Sequence, residues 1–265
     1  PKRFPLYQSI SWFDKGGNAW YNALQAGLTH RFSSGLEFDS LFQWISELTD
    51  VQDLGLRTNA FVGADNPYCR ACEKGKNQSV DSLDFRSNFL YELPVGRNKR
   101  FGAGWNRAAR GIAGNWVLSG IVDLRNGRPE AVFFSGPDPS NTNLRTGRAD
   151  VVPGCNYQSG DGKSAPYLNI ACFTIPKAGT FGNSTTSQFR KPGSWDVSGA
   201  VYKYFPLFRE DVKLRINGVF TNLFNHPTWN TVGNNISTPA TFGKFSGQDA
   251  AGRLSGARSI VLQAQ

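Results

Sequence analysis

Leu36-Glu37-Phe38-Asp39-Ser40-Leu41-Phe42-Gln43-Trp44 puts Leu36, Phe38, Phe42 and Trp44 on one side of an extended chain and Glu37, Asp39 and Gln43 on the other, with Ser40 and Leu41 as exceptions. Successive side chains of a strand point to opposite faces, so this period of two reads as a strand with one apolar and one wet face. Residues 83 to 92 repeat the pattern, with Leu83, Phe85, Phe89 and Tyr91 opposite Asp84, Arg86, Asn88 and Glu92. Residues 212 to 222 set Val212, Leu214, Ile216 and Phe220 against Lys213, Arg215, Asn217 and Thr221. Less regular alternation at 5–13, 20–31, 112–125, 194–205 and 256–265 brings the expected strands to eight. No segment shows a convincing amphipathic helical period.

The links between these strands differ in length by position. Ser33-Ser34-Gly35 and 206–210 are tight, 93–111 is intermediate, and 46–80, 126–193 and 224–255 are long. Antiparallel strands joined in series place alternate links at opposite ends, so the long links share one end. Short periplasmic turns opposite long external loops characterise transmembrane β-barrels. The expected fold is therefore all-β, an antiparallel transmembrane β-barrel with about eight spanning strands and long external loops. Within the longest link, Asn126-Gly127 is a type I′ turn signal and predicts a small hairpin returning over 129–134. Trp20, Tyr21, Trp44, Tyr91, Trp116, Tyr202, Tyr204 and Phe205 fall mostly toward strand ends, where interface aromatics belong. Alternation does not separate lipid from the second sheet of a soluble sandwich, whose core aromatics would carry the same pattern.

Composition narrows the alternatives. A chain of 265 residues with 39% hydrophobic and 13% aromatic content carries too much apolar surface for a disordered tail. No run approaches the ~18 apolar residues of a membrane-crossing helix. The absence of methionine reads as a processed or partial chain. The net charge of +9 is spread along the sequence except for one cluster at 97–110. A nucleic-acid footprint would be denser and tied to a reading motif, so no nucleic-acid partner is expected, and surface, lumen or lipid-headgroup charge is the simpler account. Cys69 with Cys72 and Cys155 with Cys172 form two local pairs in polar, Gly/Pro/Asn-rich stretches. The second pair is too open for a zinc knuckle, and both suit loop-stapling disulfides in an oxidising compartment.

Several blocks resemble the Oar-like TonB-dependent receptors of acidobacterial type. Gly17-Asn18-Ala19-Trp20-Tyr21-Asn22-Ala23-Leu24-Gln25 and Arg31-Phe32-Ser33-Ser34-Gly35-Leu36 look like the middle of that barrel. Tyr91 to Arg97, Gly114 to Gly120, Asn126 to Pro129, Gly179 to Asn183, Trp195 to Ser198 and Lys203 to Leu207 follow in the family's order. The most specific block is Phe220-Thr221-Asn222-Leu223-Phe224-Asn225-His226-Pro227, and 242–244 and 258–263 resemble the closing part. The resemblance implies the C-terminal part of a large outer-membrane barrel, with residues 1–265 as one segment of a single barrel domain and no plug domain among them. It also implies outer-membrane lipid, the remainder of the receptor including a plug, and through that remainder a TonB complex as partners.

The expected function is TonB-dependent uptake, with external loops for capture and a polar lumen for passage. Arg86, Asn88, Arg215 and Asn217 are the residues expected to face that lumen. A secreted or cell-surface β-protein with a binding or self-assembling role is the alternative. No catalytic, cofactor or metal site is expected. Glu47, Asp50 and Asp53 read as solvated loop carboxylates, Gly102-x-Gly104 lacks a phosphate-loop context, and no serine occupies a nucleophile elbow. His226 reads as a loop residue, since Pro227 cannot continue a strand and His30 is the one other histidine.

Overall fold

The computed structural model describes residues 16–32, 35–51, 65–96, 99–143, 145–162, 164–206, 213–248 and 257–264. The alternating segments form seven long strands: β1 (Ala19–Arg31), β2 (Leu36–Thr49), β3 (Leu83–Glu92), β4 (Trp116–Arg125), β5 (Ser194–Pro206), β6 (Lys213–Thr221) and β7 (Ser259–Ala264). They pair in chain order, each antiparallel to the one before. The two-residue strand Gly75–Lys76 adds to β2. β1 and β7 are the edges, and the barrel is not closed among the described residues. The strand expected at 5–13 lies outside them.

Register fixes the faces. One ladder row joins His30, Phe38, Phe89, Gly120, Gly199, Phe220 and Ile260. Every second residue from this row shares its side, which gathers Leu24, Phe42, Phe85, Leu124, Val197 and Leu214 onto one apolar face. The row crosses β1 one residue before Arg31 and β6 seven residues after Lys213, a stagger of six residues over five strand-to-strand steps. At ~3.3 Å per residue and ~4.8 Å between strands, this corresponds to a tilt of about 40°. Closed barrels tilt their strands by about 35–45°. In the row, Gly120 pairs with Gly199, and a Cβ on Gly120 would lie 2.5 Å from the Phe89 ring, so the aromatic ring covers the gap.

Two local expectations are corrected. The link between β3 and β4 contains a helix, α1 (Arg107–Ala113), so the strand starts at Trp116 rather than 112. Seven residues are too short for an amphipathic period to show, but Asn106 carries an N-cap signal, accepting from the Ala109 amide at 2.8 Å. Asn126-Gly127 does not turn a hairpin. Pro129–Glu130 instead pairs with Phe189–Arg190, and Phe133–Ser135 pairs with Thr146–Arg148. A Cβ on Gly127 would fall 1.5 Å from the Lys191 carbonyl oxygen, so this glycine serves a close backbone approach rather than a positive φ.

The links 50–82, 126–193 and 222–258 leave from one end of the sheet, and there the chain builds its apolar core. Val132, Ala149, Leu168, Cys172, Phe173, Phe189, Val232 and Phe242 form the buried cluster, and all come from the two longer links. The sheet's apolar face stays open, with Leu24, Leu28, Phe42, Trp44, Leu124 and Ile216 exposed. A wall that meets lipid has its apolar partner outside the chain, whereas loops standing in water must bury apolar surface among themselves.

Candidate functional site

Arg86, Asn88, Arg215 and Asn217 stand on the same face, opposite the apolar one. The curl of the sheet makes that face a trough with a recess of about 610 Å³, whose mostly apolar surface includes Leu90, Ile121 and Val219 beside polar Asp39, Asn88 and Ser119. On the same face, Asp123 accepts from Arg86 Nη2 at 3.1 Å and from Arg125 Nη2 at 2.7 Å. Asn217 Nδ2 donates to Gln263 Oε1 at 3.1 Å, which ties β6 to β7. The Arg215 guanidinium lies 4.5 Å from the Tyr202 ring centroid. Its Nε and the Asn217 Oδ1 are buried without a hydrogen-bond partner among the described residues. The four polar positions therefore divide. Arg86 and Asn217 are tied to neighbouring strands, Asn88 lines the recess, and the Arg215 guanidinium packs against the Tyr202 ring.

The aromatics divide by the same register. Trp20 and Trp44 lie on the apolar face toward the long-link end, and Tyr91 and Trp116 lie on it at the opposite end. Tyr21, Tyr202 and Tyr204 stand on the trough face, which removes them from an outward girdle. Their strand-end positions suggested an interface, but parity with Arg215 decides the face. Trp195, two residues from Val197 and on the same face, completes the tier at the long-link end. Trp116 lies eight residues along β4 from Leu124, the partner of Trp195. That is ~27 Å along the strand and roughly 20 Å along the membrane normal after tilt, near the ~25 Å apolar band of such barrels.

The block from Phe220 to Pro227 shapes the exit from β6. Asn222 and Asn225 have φ of 49° and 52°, a left-handed backbone that asparagine tolerates. The buried Asn222 side chain donates to the His226 carbonyl at 3.0 Å and accepts the His226 amide at 2.8 Å. His226 is thus a link residue, stacked on Trp195 with ring centroids 4.3 Å apart. Among the described residues no three His, Cys, Asp or Glu side chains gather as a metal-ligand group.

Above the trough the described residues of the three long links pack together as a cap. Cys69–Cys72 and Cys155–Cys172 are both disulfides, and Cys172 belongs to the cap core. The links are joined by a buried charge cluster that sequence spacing did not reveal. Arg148 donates to Glu73 through Nη1 at 2.5 Å and Nη2 at 3.0 Å, and through Nε to the Ser184 carbonyl at 2.9 Å. Its amide donates to Asp65, whose pKa burial raises above the ordinary carboxylate value. Burial opposes the Arg148 charge, but hydrogen bonds and the charges of Glu73 and Asp65 outweigh it and hold its pKa above normal. These residues lie up to 83 positions apart, so no local motif could announce them. Arg128 pairs with Asp81 at 2.9 Å, and Arg190 donates to Ser82 Oγ at 3.1 Å, fixing the cap to the top of β3.

No curated protein and no solved structure matches the chain. A family model described as outer membrane beta barrel domain matches residues 1–260, in agreement with the staggered antiparallel wall, its apolar outer face and its aromatic tiers. The chain belongs to this outer membrane beta-barrel family, which places it in the outer membrane.

Proposed function

We propose that the chain is the C-terminal wall and external cap of an Oar-like TonB-dependent receptor, and that it takes a ligand from outside through the cap into the polar trough. The observation that carries this reading is the cap itself, with its own apolar core and two disulfides, standing over a recess whose mostly apolar lining is marked by polar Asp39, Asn88 and Ser119. Such packing among the described residues of the external loops suits a preorganised capture surface, because less conformational entropy is lost when a ligand binds. In this reading the plug and the TonB contact belong to the remainder of the receptor, and residues 1–265 supply no catalytic group.

The test uses cells carrying the intact protein, grown in complex medium with and without a functional TonB complex, with depletion of medium components followed by mass spectrometry. A compound depleted only when both the protein and the TonB complex are present supports the proposal. Depletion that persists without the TonB complex identifies a passive channel and sinks the receptor reading. If the cells bind compounds without depleting them, the cell-surface binding role replaces it.

A further inference from the structure

The link between β3 and β4, at the turn end of the wall, carries Arg97, Lys99, Arg100, Arg107 and Arg110 and no acidic residue over 93–115. These five positive charges, set against a net +9 for the whole chain, sit in a segment that barrel architecture assigns to the periplasmic side. The described residues of the link, 93–96 and 99–115, are held by their own backbone hydrogen bonds. The Phe101 amide donates to the Pro94 carbonyl at 2.9 Å, and the Asn115 amide to that of Val95 at 3.3 Å, so the segment closes on itself.

Its position follows from Lys203. This residue belongs to the apolar face of β5, paired with Trp116, yet it is only 1% exposed. Its Nζ donates to the Gly111 carbonyl, and to that of Ile112 at 2.6 Å, at the carbonyl end of α1. The rings of Trp116 and Phe205 flank the ammonium at 5.1 and 5.0 Å, and Trp116 Nε1 donates to the Ile112 carbonyl at 2.9 Å. A lysine on a lipid-facing wall is thereby neutralised by helix carbonyls and aromatic faces. The same contacts pin the carbonyl end of α1 against the outside of the barrel rather than under its lumen.

The outward side of the link is amphipathic. Phe101, Trp105 and Ile112 are exposed, Ile112 by 74%. Among the described residues no carboxylate lies within ion-pair distance of Arg100, Arg107 or Arg110, whereas Lys99 is paired with Glu92 at 3.0 Å. Exposed apolar side chains on a link fastened to Trp116 and Lys203 of the wall, beside cations that form no ion pair among the described residues, match the boundary between acyl chains and negatively charged headgroups.

We propose that residues 99–115 form a collar that binds anionic phospholipid of the periplasmic leaflet, with Phe101, Trp105 and Ile112 entering the acyl boundary and Arg100, Arg107 and Arg110 holding the phosphates. This surface is independent of whatever the barrel transports. The intact protein is extracted in detergent and mixed with equal amounts of phosphatidylglycerol and phosphatidylethanolamine, and the retained lipids are counted by native mass spectrometry. Wild type retains phosphatidylglycerol preferentially. Each of Arg100→Ala, Arg107→Ala and Arg110→Ala lowers that preference by roughly fivefold, while Arg145→Ala in the cap leaves it unchanged. An unchanged preference in the triple variant, or an equal loss in the cap variant, overturns the proposal. In vesicles of brominated phosphatidylglycerol, Trp105→Phe removes part of the tryptophan quenching. Identical quenching in both proteins also overturns it.

Discussion

Arg148 and Glu73 form a buried, doubly hydrogen-bonded ion pair between two external links that are 75 residues apart in sequence. The pair joins the short 3₁₀ turn Arg70–Glu73 to the ribbon Thr146–Arg148. Removing one partner strands the other charge in a dry site, typically at about 3–5 kcal/mol. Arg148→Met is therefore expected to loosen the cap without unfolding the wall. Amide exchange should rise across 65–80 and 146–190 and stay near wild type in β3 to β6. Uniform exchange in both regions would show that the pair does not hold the cap.

The cap also carries a pH signature. Asp65 is raised above 3.8 in the folded state, chiefly by burial and further by Glu73, while Arg148 lowers it. A carboxyl with a raised folded pKa contributes stability that is fully present below its unfolded value and is lost as pH rises through the folded one. Cap protection, corrected for intrinsic exchange, is therefore expected to fall as pH rises from about 3.8. Asp65→Asn keeps an acceptor for the Arg148 amide and should flatten that dependence. An unaltered slope would assign the dependence to another group.

The two disulfides should differ in weight. Cys155–Cys172 closes a separation of 17 residues and Cys172 is buried in the cap core, whereas Cys69–Cys72 closes a separation of 3. Loop-closure entropy gives about 3 kcal/mol for the first and roughly half of that for the second. The paired change Cys155→Ala with Cys172→Ala should expose the cap to protease on whole cells at lower temperature than Cys69→Ala with Cys72→Ala. Equal susceptibility would count against a core role for the larger loop.

In the wall, Gly120→Leu forces the Phe89 ring from its seat, because even a Cβ lies 2.5 Å from that ring. Overpacking of this kind costs about 1–3 kcal/mol. The variant is expected to fold more slowly into lipid vesicles, read by the gel shift between heated and unheated samples. Phe89→Ala combined with Gly120→Leu should recover part of the loss, and an additive double variant would argue against direct contact.

At the exit from β6, Asn222→Ala removes both side-chain hydrogen bonds to His226 and places alanine at a φ of 49°. The combined loss is expected near 2–4 kcal/mol. Trp195 should then lose its His226 stack and shift its fluorescence, while an unchanged spectrum would show that His226 is held by other contacts.

What could be read from the sequence was whatever is local and periodic. Alternation at 36–44, 83–92 and 212–222 is a property of neighbouring side chains, so it shows the strands and their two faces without knowledge of partners. Link lengths show which end carries the cap. Disulfides between Cys69 and Cys72 and between Cys155 and Cys172 follow from nearness along the chain. Only tertiary structure decided what depends on register and on residues far apart. Pairing parity sent Tyr21, Tyr202 and Tyr204 to the trough and Trp195 to the outer wall. Contact between distant links set Arg148 against Glu73, and a strand lysine against the end of α1. Alternation is written into each strand, whereas the partner of a buried charge is chosen by the fold that removes water around it.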